Sequence, residues 1–201
     1  MYGEGKNWRY LIGFGLVIVL LFIVIFMIIR GGNDDSAKVP VTERELTSYV
    51  SDPNVTITET VVGPITAAQN HDQVQINVTN STATIDIIKG YDGNVVNSRS
   101  YPITTAAFSE FLSSLEKADF TKGNTDKELA DDEGYCPTGQ RYIFEVKDGA
   151  KSIQRFWTTS CGGTKTYKGD IGLTNRLFNA QIPDYDDLTQ DVQFTHNLSG
   201  L

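Results

Sequence analysis

The longest apolar run in the chain is LIGFGLVIVLLFIVIFMII, Leu11 to Ile29, nineteen residues without a charge. At ~1.5 Å per residue, a helix of that length matches a hydrocarbon core of roughly 30 Å. Cleaved signal peptides carry a shorter apolar stretch with a small-residue cleavage site close behind. Here Arg30-Gly31-Gly32-Asn33-Asp34-Asp35 follows instead, so the pattern predicts an uncleaved transmembrane anchor over 11–29. Next, GGNDDSAKVP reads as a short tether, rich in Gly, Asp and Ser. Thr42-Glu43-Arg44-Glu45 has the form of a capping box, with Leu46, Tyr49 and Val50 behind it at helical spacing until Pro53 ends the turn.

Beyond Pro53 the period drops to two, as in half-buried antiparallel strands. Val55, Ile57 and Val61, then Val74, Ile76 and Val78, then Ile85 and Ile87 alternate with polar residues. A two-residue turn at Asn80-Ser81 sets Val78 opposite Ala83, Ile76 opposite Ile85 and Val74 opposite Ile87, all apolar on one face. Tyr91-Asp92-Gly93-Asn94 turns the chain into a further strand, VVNSRSYPI, whose register more than one loop length would satisfy. Phe108, Phe111, Leu112 and Leu115 then form a helical stripe behind a Thr cap. A second helix is expected from about Asp170, with Ile171, Leu173, Leu177 and Phe178, stopping before Pro183. The polar connection TKGNTDKELADDEGY reads as solvated surface, and the tail DYDDLTQDVQFTHNLSGL as irregular chain.

Asp148-Gly149 is the strongest two-residue hairpin signal. It sets Phe144 opposite Ile153, Tyr142 opposite Arg155 and Gln140 opposite Trp157, and it brings Cys136 opposite Cys161 at the open end. These are the only cysteines, and a one-residue bulge would still leave them close. The C-x-x-C spacing of a redox thiol is absent, and two distant histidines do not complete a zinc site. The pair is therefore expected to be a structural disulfide, formed outside the reducing cytoplasm and stabilising by roughly 3 kcal/mol.

Charge orients the picture. Lys6 and Arg9 precede the apolar run, whereas Asp34 and Asp35 follow it, so residues 1–10 are expected in the cytoplasm and the rest outside. From Gly31 onward, fourteen Lys and Arg face twenty-four Asp and Glu, a net charge of −10. A surface of that sign repels phosphate backbones, which argues against a nucleic-acid ligand. The expected organisation is a cytoplasmic N-terminus (1–10), the anchor (11–29), a tether and short helix (30–53), one domain (54–183) and the tail (184–201). The Asn-X-Ser/Thr triplets at Asn54, Asn77, Asn80 and Asn197 are acceptors only in a glycosylating secretory route.

Candidate chemistry is sparse. His71 and His196 lie in polar stretches outside any nucleophile or metal motif, and both are expected to be solvent-exposed loop residues. Calcium could be held by the acids of Asp126 to Glu133 or by Asp184, Asp186 and Asp187, but neither stretch has the spacing of a calcium loop. No catalytic residue, cofactor site or metal ligand is assigned. Tyr135, Trp157, Tyr167 and Tyr185 are the aromatic candidates for an interaction surface, Tyr and Trp being frequent interface anchors.

In layout the chain resembles uncharacterised single-pass surface proteins of reduced-genome bacteria, with an N-terminal anchor, a short tether and one extracytoplasmic domain holding a lone disulfide. The expected fold is α+β: a transmembrane helix, then an antiparallel sheet of about six strands with two helices on one face and one stapled hairpin. The expected function is a non-catalytic binding or assembly module at the outer face of a cytoplasmic membrane, offering an acidic domain to a protein or envelope partner. The alternatives are an inhibitor of an extracellular protease or lysozyme, and an enzyme using carboxylates such as Asp184 and Asp187.

Overall fold

The computed structural model describes residues 45–192. The chain opens with a 3₁₀ turn, Leu46–Tyr49, whose Leu46 is buried. Strands β1 (Val55–Val62), β2 (Asp72–Val78), β3 (Thr82–Lys89) and β4 (Asn94–Pro102) follow, then helix α1 (Thr105–Lys117). Strands β5 (Arg141–Asp148) and β6 (Lys151–Thr159) lead to helices α2 (Ile171–Asn179) and α3 (Tyr185–Thr189). The strands form one six-stranded antiparallel sheet in the order β4-β3-β2-β1-β5-β6.

The α+β architecture with its stapled hairpin is as expected, but the transmembrane helix placed first in it is corrected. Among the described residues no helix is long and apolar enough to cross a membrane. The run Leu11–Ile29, the capping residues Thr42 to Arg44 and His196 lie outside them. The domain also extends past its expected limits. Leu46 and Val192 are both in the core, and the tail expected to be irregular forms α3 and buries Thr189.

The β2–β3 hairpin has the expected register, Val74 with Ile87, Ile76 with Ile85 and Val78 with Ala83. The β5–β6 hairpin does not. Asp148 pairs with Lys151, so the turn is Gly149-Ala150, with Gly149 at φ +57° in the first central position, where the primed hairpin turns need a positive φ. A bulge between Val146 and Lys147 shifts the register again, pairing Phe144 with Phe156 and Ile143 with Trp157. Phe156 thereby joins the core face, and Trp157 goes to the opposite one.

Core packing follows the alternation. Ile57, Val61, Val74, Ile76, Val78, Ile85, Phe144 and Val146 meet Phe108, Phe111, Leu112 and Leu115 of α1 and Phe178 of α2 in one buried cluster. Thr104 caps α1 by accepting from the Ala107 amide at 3.1 Å, and Asp170 caps α2 by accepting from Leu173 at 2.8 Å. On the other face, polar side chains bond to one another: Thr58 donates to Asn77 at 3.0 Å, and Gln75 to Thr60 at 3.0 Å.

Candidate functional site

Two acids interrupt the buried face, Asp72 at the start of β2, which pairs with Lys89 at 3.1 Å, and Glu59 in the middle of the sheet. Glu59 sits on central strand β1 between Ile57 and Val61, beside Ile76 of β2 and Phe144 of β5, and is 1% exposed. Burial, by desolvating the charged form, pushes its pKa up to about 8. Its partner is Asn175 of α2, whose amide nitrogen, turned toward the carboxyl group, donates to Oε1 at 2.5 Å and to the Ile171 carbonyl at 3.2 Å. Phenols surround the pair. Tyr142 on β5 donates to Gln140 Oε1, and burial together with the nearby Glu59 pushes its pKa up to about 12. The Tyr167 hydroxyl lies 2.7 Å from that of Thr174 and is pushed up to about 12, chiefly by burial. Tyr185 on α3 is raised by burial and then by Glu59, and is hydrogen-bonded to Asn179.

Tyr185 and Asn179 also line a surface cleft of about 400 Å³ with Asp184, Asp186 and Asp187. Asp184 accepts a hydrogen bond from Tyr101 of β4, which raises the Tyr101 pKa. Asp187 is exposed. Among the described residues no three His, Cys, Asp or Glu side chains converge as a metal site.

The four aromatic candidates do not form one surface. Trp157 and Tyr167 are fully buried, so neither can anchor a partner. Because of the hairpin register, Trp157 lies under the loop ahead of β5, donating from Nε1 to the Leu129 carbonyl at 2.6 Å with the Tyr135 ring 4.7 Å away. Tyr167 instead packs on Phe144 at 4.4 Å in the core. Tyr135 and Tyr185 are half-buried on different parts of the domain. The loop expected to be solvated is also pinned down: Asp132 is buried and pairs with Arg141 at 3.3 Å and with Arg155, which donates to the Ala130 carbonyl at 2.8 Å.

No protein-family model matches this chain, and no curated protein matches it in sequence.

Cys136 and Cys161 form the disulfide, with Cα atoms 5.7 Å apart. They close the open end of the β5–β6 hairpin, where Ser160 and Gln140 exchange hydrogen bonds at 2.9 Å. The β1–β2 connection packs against this staple, the Ile65 amide donating to the Pro137 carbonyl at 2.8 Å. His71, expected to be an exposed loop residue, is buried: Nδ1 is 3.0 Å from the Pro64 carbonyl and the ring stacks on Tyr91 at 4.1 Å. The Tyr91 hydroxyl in turn donates to the Thr66 carbonyl at 2.8 Å. Ile65 and Tyr91 are each about half exposed, and Val95 and Val96 at the start of β4 are exposed to the same extent. Sequence alternation missed these four because none continues a buried stripe.

Beside them runs a strand edge without an acid. β4 is the outermost strand on its side, Asn94 to Ser100 are all exposed, and Arg99 is the only charge within it. The opposite edge differs: the Trp157 backbone on β6 already pairs with Thr166 and Tyr167.

Proposed function

We propose that the domain is a non-catalytic binding module working outside the cytoplasm, at the face of a cytoplasmic membrane, and that it takes an extended segment of a protein partner along β4. The observation that carries this reading is the acid-free strand β4, outermost on its side of the sheet, with Asn94 to Ser100 exposed and Val95 and Val96 each about half exposed on it. Exposed strand edges are templates for strand addition, in which backbone hydrogen bonds supply affinity and side-chain contacts supply specificity. The disulfide supports an oxidising location, and the uncharged run of 11–29 supports attachment at a membrane. Residues 45–192 carry twelve Lys and Arg against twenty-one Asp and Glu, so the field around the edge favours a segment with basic flanks.

Lysine at both Val95 and Val96 tests this reading. Loss of partner crosslinking with an unchanged melting temperature is expected, because neither side chain is in the core. Crosslinking that survives both substitutions would refute the β4 surface. A second reading, an inhibitor of an extracellular hydrolase, is favoured by the exposed Pro137-Thr138 loop pinned at Cys136. Inhibition of a protease or lysozyme by the protein, lost on disulfide reduction, is its expected signature.

A further inference from the structure

Glu59 occupies the middle of the interface between the sheet and the C-terminal helices, on a face built mainly from Val, Ile and Phe; the other buried acid of that face, Asp72 at the start of β2, pairs with Lys89 at 3.1 Å, whereas Glu59 meets an amide. Its partner Asn175 lies on α2, held from behind by the Asp170 cap and by Thr174, which meets Tyr167. The titratable groups facing the carboxyl are the phenols of Tyr142 on β5, Tyr167 ahead of α2 and Tyr185 on α3. From α1 the packed residues are apolar: Phe108, Phe111, Leu112 and Leu115. The segment from Asp170 to Asp191 carries five acids and one base, Arg176. Among the described residues no ion pair reaches Glu59, so a carboxylate formed there would add to the negative charge of the layer above it.

We propose that protonated Glu59 is a latch that holds α2 and α3 on the sheet, and that rising pH releases it, loosening the helical layer and with it the cleft walled by Tyr185 and Asn179. In the closed layer the carboxyl keeps its proton up to about pH 8, whereas in an opened layer, where water reaches it, it ionises near its ordinary value of 4.5. Between those two values opening releases a proton, so the population of the opened layer grows with pH. Below the lower value the latch is fully closed. Above the upper one the closed layer itself holds a carboxylate, and no further proton-linked change follows. The cleft acids Asp184, Asp186 and Asp187 would then be presented differently in acidic and neutral surroundings.

Amide hydrogen exchange on the full-length protein between pH 5 and pH 8 tests the latch. After correction for intrinsic exchange, protection across Ile171–Asn179 is expected to fall by up to about tenfold per pH unit, while the β2–β3 hairpin stays protected. In Glu59→Gln the slope in α2 should vanish, since the amide replaces the acid without a titrating proton. Protection of α2 that is flat with pH in the wild type, or that falls equally in Glu59→Gln, would overturn the proposal. Carboxyl carbon titration of the wild type by NMR decides the matter even if the variant does not fold. A Glu59 midpoint near 8 with matching shifts in α2 amides is expected, and a midpoint in the ordinary carboxylate range would refute the latch.

Discussion

Asp132 shows what a single residue can do in this domain. Its carboxylate holds Arg141 and Arg155, joining the connection ahead of β5 to the strands beneath and covering Trp157. Asp132→Ala is expected to cost roughly 3 kcal/mol, the low end for breaking a buried pair, because the Arg155 side chain remains 32% exposed. Chemical denaturation checks the value, and Trp157 fluorescence should shift to the red as the loop lifts. Glu59 acts in the opposite sense. Its folded-state pKa lies above the ordinary value, so its stabilising contribution is complete below about pH 4.5 and is lost as pH rises toward about 8. The group's own slope in that window is about −1.4 kcal/mol per pH unit at most. Glu59→Gln should flatten this part of the stability profile, which denaturation of both proteins at pH 5 and pH 8 would measure.

At the scale of the element, the hairpins show where alternation suffices. Asn80-Ser81 and the stripes on either side agree on one register, and that register is found. For the β5–β6 hairpin the local turn signal favoured Asp148-Gly149, but the chain turns one residue later and adds a bulge. The shift moves Phe156 into the core and Trp157 away from it, which no local rule encodes. The disulfide was legible all the same, because a slipped register still leaves the two ends of the hairpin together. Glu59 was legible in principle: Ile57 and Val61 set a period of two, and an acid at the position between them has to face the core. The open edge of β4 was not, since it depends on strand order. Reducing the disulfide is expected to lower stability by roughly 3 kcal/mol, with lost exchange protection concentrated near Gln140 and Ser160. Gly139→Ala should be harmful whether or not the bridge is formed, because its Cβ would lie 2.5 Å from both Cys136 Sγ and Ser160 Oγ.

At the scale of the whole molecule, and among the described residues, the β6 edge of the sheet is covered at Trp157 by Thr166 and Tyr167, whereas β4 at the other edge is exposed from Asn94 to Ser100. A long exposed strand edge is a liability that proteins manage with charges, bulges or cover. β4 has the bulge opposite Ile87 and Ile88 and the lone Arg99, and its first seven residues remain exposed. The net negative charge of the domain works against stacking of identical copies and toward a partner of opposite sign. Tethering at a membrane would raise the effective concentration of such a partner without new contacts.

The most direct test of binding through this edge is site-specific photocrosslinking in cells. The full-length protein would carry the photoreactive residue at Val96 on β4, and in a parallel sample at Lys151 on β6. The account predicts a discrete protein adduct from Val96, absent from Lys151 and abolished when Val95 is replaced by lysine. Equal adducts from both edges, or none from Val96 above the background of membrane neighbours, would contradict it.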